Sequence, residues 1–246
     1  RDEFKIFIGY SWFIGMTLVK KSEGIYIDDS CNDLLEKTNI IIFDCDGVLI
    51  DITKSYDLAI IKTTQYVLEN FAKINDSITV NFKIIDGFKS SGGFNDEVDL
   101  TYAAIISLVA ANQLEKDPTE FIFDVIKNSD SSGIVSVEKY LEAQTDISEI
   151  KKQLSYPGIH HQNPLYQIFD QLFYGPKLYE NLFKIKSNFS ESGLIEQDDV
   201  ILNEKLLKLL QTKFNSKIAM VTGRGKQSVK YSLKEMLDEF DLNNSV

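Results

Sequence analysis

A chain of 246 residues that is 43% apolar and 11% aromatic is long enough to bury a sizeable core. With 4 Pro and 13 Gly, it lacks the composition of a disordered, collagenous or low-complexity chain. Its 26 Lys and Arg stand against 37 Asp and Glu, and the net charge of −11 argues against nucleic acid or an anionic membrane as a partner.

The first segment, residues 3–29, alternates short apolar runs with Gly9, Gly15 and Gly24. This alternation predicts a small β meander. The most apolar stretch, 4–19, is too short and too interrupted for a membrane span, and it lacks the features of a signal peptide. A chain of this size with 2 Cys needs no disulfide, so we expect a reducing, cytoplasmic location.

Two strands are predicted where β-branched and aromatic residues run without interruption. The first, 40–43, has the pattern of a strand buried on both faces, as in parallel sheets, and ends in the acidic sequence DCDG at 44–47. The second, 217–221, ends in TGRG at 222–225. We expect the two strands to share one sheet.

Helices are predicted between and after these strands, because apolar residues recur there at helical spacing. The predicted ranges are 55–72, 95–114, 119–127, 137–143, 164–173, 176–183, 201–214 and 227–239. Asn95 is the expected N-cap of the second helix, since a side-chain oxygen at that position can accept from the first free amides. The architecture expected from these elements is an open α/β sheet interrupted by a large helical insertion.

The strand ends carry the residues from which chemistry can be inferred. Asp44 and Asp46 are two apart on an extended segment, so both project to one side at the carboxyl end of a strand, where ligands gather. Two adjacent carboxylates need a compensating cation, and oxygen ligands favour Mg²⁺. Thr222, with glycines and the amides of a following helix, offers an anion cradle. Taken alone, an acidic strand end is more often a solvated turn.

Several stretches resemble a known family. FDCDGVLID at 43–51 resembles the first motif of the haloacid dehalogenase-like hydrolases, and VTGR at 221–224 resembles their second. FKSSGGFNDEVD at 88–99 is similar to a segment of the helical cap in a poorly characterised, largely archaeal group of phosphatases, and so are YQIF at 166–169 and LFYG at 172–175. The resemblance covers about residues 39–225 and leaves the first 38 residues unmatched.

The resemblance implies a Mg²⁺-dependent phosphatase acting on a small phosphorylated metabolite. Asp44 would be the nucleophile that forms an aspartyl-phosphate, and Asp46 the general acid and base. Mg²⁺ would be held by the Asp44 carboxylate and the Asp46 backbone carbonyl. The residues implied for holding the phosphoryl oxygens or binding phosphate are Thr222, Gly223, Gly47 and Arg224.

The implied fold is a Rossmann-like core of residues 39–54 and 190–246 with a helical cap, 55–189, after an N-terminal extension, 1–38. The cap would close over the crevice and select the substrate. Lys89 beside a glycine pair could bring a cation to the substrate, and Asn95 could contact it. A glycine loop capping a helix and ordinary capping are the alternatives for these two residues.

The sequence departs from the family pattern after Thr222. No strand-borne lysine motif and no acidic pair on a further strand precede Val246, so the sheet appears incomplete at this end. We expect these motifs in a continuation of the chain, the alternative being a degenerate member of the family. A sugar-phosphate mutase, a non-catalytic phosphate- or protein-binding module and a purely structural partner protein remain alternative functions.

Overall fold

The computed structural model describes residues 6–8, 18–23, 25–28, 31–75, 80–243 and 245. In chain order its elements are β1 (Ile6–Ile8), β2 (Leu18–Ser22), β3 (Ile25–Asp28), α1 (Asn32–Lys37), β4 (Ile41–Phe43), β5 (Ile50–Asp51), α2 (Tyr56–Asn70), α3 (Phe82–Ser90), α4 (Glu97–Gln113), α5 (Pro118–Lys127), α6 (Ile134–Glu142), α7 (Ser148–Leu154), α8 (Pro164–Phe183), β6 (Asp199–Val200), α9 (Glu204–Phe214), β7 (Ile218–Met220) and α10 (Lys226–Leu233). Short 3₁₀ segments lie at His160–Gln162, Leu194–Gln197 and Lys234–Glu239.

The chain divides into two compact units. The α/β unit comprises Arg1–Leu49 and Ile201–Val246, and the helical unit comprises Ile50–Val200. The predicted fold class, an α/β fold with a small parallel sheet and a large helical insertion, is confirmed. The assignment of these regions as N-terminal extension, core and cap stays a prediction.

The helical unit is built around α4. Thirteen of its residues are buried, and it packs against α2, α5, α6 and α8. After Asp99 the helix carries no charged residue, so it has no face that prefers water. The prediction of a helix here is confirmed, but Asn95 is not its N-cap. Asp96 takes that position and accepts hydrogen bonds from the amides of Val98 at 2.7 Å and Asp99 at 3.4 Å.

The two predicted helices at 164–173 and 176–183 are observed as the two halves of α8. They meet at Gly175, which has φ 69° and ψ 168°, a conformation outside the helical region. Pro176 then begins the second half with no amide to donate. An added Cβ at Gly175 would lie 2.3 Å from the backbone nitrogen of Gly193, so this close approach requires glycine.

The helical unit begins and ends in a pair of short strands. β5 and β6 run antiparallel, with Ile50 opposite Val200 and Asp51 opposite Asp199. In the α/β unit, the amide of Ile201 donates to the carbonyl of Leu49 at 2.9 Å.

The sheet of the α/β unit that carries the sequence motifs has two described strands, β4 and β7, in parallel. All three residues of β7 are buried, whereas Lys217 and Val221, at the ends of the predicted strand, are exposed. The expectation that 40–43 is buried on both faces is wrong, because Ile40 is 50% exposed and Ile42 is 59% exposed. A continuous apolar run indicates a strand, but burial of its second face depends on neighbours that the run does not encode. The opposite face is covered, and there Phe43 packs edge-on against Phe240.

The first three strands form a separate small sheet. A meander would pair consecutive strands antiparallel, but β1 pairs parallel with β3, and β2 pairs antiparallel with β3. The alternation of apolar residues predicts strands without specifying their partners. Residues 3–5, 9–17, 24 and 29 of the predicted meander lie outside the described residues. Within the described part of the chain, no helix combines the length and hydropathy required to cross a bilayer.

Candidate active site at the ends of β4 and β7

The carboxyl ends of β4 and β7 lie side by side. Phe43 is opposite Met220 in the register, and the amide of Val221 donates to the carbonyl of Phe43 at 2.8 Å. Because parallel neighbours are about 4.8 Å apart, the segments that begin at Asp44 and Val221 leave the sheet from the same edge. The sequence motifs, far apart along the chain, are therefore adjacent in the fold.

The segment after β4 turns sharply. The amides of Val48 and Leu49 donate to the carbonyl of Cys45 at 3.3 Å and 2.8 Å. Gly47, which lies within this turn, has φ +75°. Cys45 is completely buried. Side chains alternate on extended chain, so this inward cysteine directs its two acidic neighbours away from the core.

Asp44 is exposed and only partly engaged. Its Oδ1 accepts a hydrogen bond of 2.7 Å from the amide of Cys45. Within the described residues, its second oxygen has no hydrogen-bond partner. An exposed carboxylate oxygen with no competing donor is available as a nucleophile or as a metal ligand.

The segment after β7 carries a hydroxyl and an open glycine. The backbone amide of Arg224 donates to Oγ1 of Thr222 at 3.0 Å, which leaves the hydroxyl proton available for an acceptor. A Cβ added at Gly223 would meet nothing within 4 Å, so a ligand can approach the backbone there. Gly225 is the N-cap of α10, and glycine has no side chain that could accept from the first amides of the helix. No capping side chain therefore competes with a ligand for these amides.

Arg224 connects the two strand ends. Its Nη1 donates to Oδ1 of Asp46 at 2.8 Å, and its Nη2 donates to Oγ of Ser232 on α10 at 3.0 Å. The Arg224 side chain is fully buried, whereas 26% of the Asp46 side chain is exposed. The guanidinium therefore places a buried positive charge beside the Asp46 carboxyl group.

A cavity of about 230 Å³ adjoins this edge of the α/β unit. Its polar walls include Thr222, Lys226 and Ser245. The remaining lining residues are Met220, Arg224, Val229, Leu237 and Leu242. Since one water occupies about 30 Å³ of liquid, the volume is that of a small molecule.

The end of β4 presents oxygen donors that could coordinate Mg²⁺. Across the part of the chain that the structure describes, no group of three or more His, Cys, Asp or Glu could hold a metal ion. Mg²⁺ commonly keeps several waters and takes only one or two protein carboxylates together with substrate phosphate. The free oxygen of Asp44 and backbone carbonyls in the following turn are donors of that kind, so the residues fit the ion in type.

Lys89 and Asn95, the other predicted substrate contacts, belong to the helical unit. Nζ of Lys89 lies 3.4 Å from Oδ1 of Asp57 in an ion pair. Burial raises the pKa of Asp57, and the Lys89 charge opposes this rise. Asn95 is exposed ahead of α4. Their roles toward a substrate stay predictions.

Two interacting residues in these regions were not identified from the sequence. Ser232 holds the guanidinium of Arg224, and Asp57 pairs with Lys89. Ser232 follows Arg224 by eight residues, and Asp57 precedes Lys89 by 32. Neither spacing belongs to a motif, so only the folded geometry reveals these contacts.

His160 lies in a short 3₁₀ segment just before α8. Nε2 of His160 lies 2.7 Å from Oδ2 of the buried Asp170, and the His160 ring stacks on Tyr166 with centroids 4.1 Å apart. The hydrogen bond with Asp170 raises the pKa of His160, although partial burial opposes the rise. Nearly half of the His160 side chain, 48%, is exposed.

Comparison with solved structures identifies proteins of similar fold. Phosphatase Tt82 from Thermococcus thioreducens matches with a TM-score of 0.57 and 21% sequence identity, over 84% of this chain and 71% of that one. A structural-genomics target solved by X-ray crystallography, whose description states no function, matches with a TM-score of 0.53 and 16% identity, over 83% of this chain and 68% of that one. No family model and no curated protein matches the chain. The chain thus shares its fold with a solved phosphatase.

Proposed function

We propose that this protein is a phosphomonoester hydrolase of the haloacid dehalogenase-like type, acting on a small phosphorylated metabolite. The observation that carries the proposal is that two strand ends lie side by side. The exposed Asp44 follows β4, and the Thr222 hydroxyl and Gly223 follow β7. The fold shared with a solved phosphatase supports it. The cavity that adjoins Thr222 has the volume of a small molecule.

The proposed reaction has two displacements at phosphorus. The free carboxylate oxygen of Asp44 attacks phosphorus, and the bond to the ester oxygen breaks as Asp46, which enters this step protonated, gives that oxygen a proton. This step releases the alcohol and leaves an aspartyl-phosphate. Asp46 then takes a proton from water, whose oxygen attacks phosphorus and releases inorganic phosphate, regenerating the Asp44 carboxylate.

The segment after β7 would hold the phosphoryl group in both steps. The hydroxyl proton of Thr222 and the exposed backbone at Gly223 offer donors to oxygens that carry increasing charge in the transition state. The first amides of α10 add the positive end of a helix dipole. Donors that are fixed before the substrate arrives need no reorganisation during the reaction.

Mg²⁺ is part of the proposal, with the carboxylate of Asp44 and the backbone carbonyl of Asp46 as its protein ligands. The side chain of Asp46 is already hydrogen-bonded to Arg224, which is consistent with coordination through the carbonyl. When bound, the ion neutralises charge on the phosphoryl group.

The test is release of inorganic phosphate from a panel of small phosphoesters, with Mg²⁺ and with EDTA. We expect metal-dependent turnover that Asp44→Asn abolishes. Asp238→Asn is the matched control, because it removes an equal charge from an exposed site and should leave turnover unchanged. Equal rates for the wild type and Asp44→Asn would refute the role of Asp44.

A non-catalytic phosphate-binding module is the second candidate. It is favoured by the open space at Gly223 and the first amides of α10, which lack a capping side chain and can bind a phosphate without any catalytic group. Calorimetric titration with inorganic phosphate distinguishes the two functions. Binding without turnover of any ester would support the module, whereas turnover supports the hydrolase.

A further inference from the structure

We propose that Arg224 is a positioning residue for Asp46 rather than a ligand of the substrate phosphate. This inference rests on the proposed function, in which Asp46 transfers the proton. It departs from the role implied by sequence resemblance, which assigned Arg224 to phosphate binding.

The first observation is that the guanidinium is committed to protein partners. Both terminal nitrogens donate hydrogen bonds, Nη1 to Asp46 and Nη2 to Ser232. Arg224 as a residue is 6% exposed, and its side chain is 0% exposed, so the exposed part is backbone. Because the side chain is completely buried, a phosphate could reach this guanidinium only if the side chain moved out of its site.

The second observation is that the guanidinium is anchored from both sides. Oγ of Ser232 accepts from Arg224 and itself donates to the carbonyl of Ser228 at 3.1 Å. Ser228 and Ser232 both lie on α10, and both are buried. The orientation of the Asp46 carboxylate is therefore tied to a helix through Arg224, and the planar, rigid guanidinium fixes direction as well as distance.

The third observation concerns accessibility. The Asp46 carboxylate is held at Oδ1, yet 26% of the side chain is exposed. A proton-transfer group must be reachable by the substrate and must keep its direction while the proton moves. The buried guanidinium fixes the direction of the Asp46 carboxylate and still leaves part of it exposed to a substrate.

The test is a catalytic double-mutant cycle between Arg224→Lys and Asp46→Asn. Lysine keeps the charge but lacks the fork that bonds Asp46 and Ser232 together. We expect Arg224→Lys to lower kcat about 100-fold, the cost of a displaced catalytic group, while KM changes less than about threefold. In the Asp46→Asn background the same substitution should lower kcat by less than about threefold, because the group that it positions is already lost.

Two further variants test the anchor and the specificity of the effect. Ser232→Ala leaves the Arg224–Asp46 pair intact and should lower kcat by about tenfold with KM unchanged. It also keeps the proposal testable if Arg224→Lys fails to fold. Lys230→Gln removes a charge from an exposed position on the same helix and should change neither constant.

Specific results would overturn the inference. A KM raised by about tenfold or more in Arg224→Lys, with kcat unchanged, would return Arg224 to phosphate binding. Independent, multiplicative effects in the cycle would show that Arg224 does not act through Asp46.

If the wild type turns over no phosphoester, the proposed function is refuted, but the contact between Asp46 and Arg224 can still be tested. The same cycle measured by urea midpoints then decides the pairing. Coupled shifts would support the Asp46–Arg224 contact, whereas additive shifts would refute it.

Discussion

The turn after β4 requires a left-handed backbone conformation at Gly47. Replacing Gly47 with alanine measures the free-energy cost of that conformation for a residue with a Cβ. Gly47 has φ +75°, and an added Cβ would meet nothing within 4 Å. Gly223, after β7, also has open space around a Cβ, but its φ lies outside the left-handed range. The two positions thus differ in backbone conformation and not in crowding.

The expected difference follows from that contrast. Alanine at either site reduces the conformational entropy of the unfolded chain, which alone would stabilise the protein by about 0.4–1 kcal/mol. At Gly47 the left-handed conformation adds a cost of about 1–2 kcal/mol for a residue with a Cβ. The entropic contribution is common to both variants, so Gly47→Ala should be less stable than Gly223→Ala by about 1–2 kcal/mol.

The measurement is urea unfolding followed by far-UV circular dichroism. Gly47→Asn is a useful third variant, because asparagine visits the left-handed region more readily than alanine and should recover part of the loss. Equal midpoints for Gly47→Ala and Gly223→Ala would show that the conformation at Gly47 imposes no cost, and the account of this turn would be wrong.

Three further predictions concern the helical unit. Thr63→Val should stabilise the protein by about 1 kcal/mol, because the buried Thr63 hydroxyl has no hydrogen-bond partner among the described residues, whereas Thr101→Val should destabilise it by about 1 kcal/mol, because the Thr101 hydroxyl donates to a carbonyl at 2.6 Å. Urea midpoints that move in the same direction for both variants would contradict this. The raised pKa of His160 stabilises the fold at a pH below its unfolded value of 6.5, and this contribution is lost as pH rises through the folded pKa, so His160→Gln should lower Tm at about pH 5 and have little effect at about pH 9. Lys89→Met should lower Tm more at neutral pH than at about pH 4, because at neutral pH the buried Asp57 is ionised and has lost its cation. An equal loss of Tm at the two pH values would argue against the ion pair.

The adjacency of the two strand ends could be predicted from sequence. Two apolar runs that end in short polar loops predict neighbouring parallel strands, and the carboxyl ends of such strands share one edge. This rule is sufficient to bring Asp44 close to the segment containing Thr222. It does not determine the direction of a long side chain. Arg224 could extend toward a ligand or fold back on Asp46, and only the packing of α10 decides between them.

Helix prediction succeeded for the long helices and failed for some of the short ones. α4 and α8 have many buried residues at regular spacing, and both were predicted. α3 was missed: it has 9 residues with Gly87 inside, and glycine and β-branched residues lower its intrinsic propensity. α7 was also missed, since its 7 residues offer two turns and a weak pattern. Tertiary packing stabilises such helices, and packing is not readable from a short window.

The pairing of β5 with β6 has a consequence for how this chain could be re-engineered. Its two strands bring the entry and exit of the helical unit to within about 5 Å of each other, and Leu49 and Ile201 are hydrogen-bonded across the same junction. A segment of 151 residues, from Ile50 to Val200, is thus inserted where a tight hairpin loop would suffice. Such a module can be excised, or grafted into another host protein, without stretching the backbone on either side.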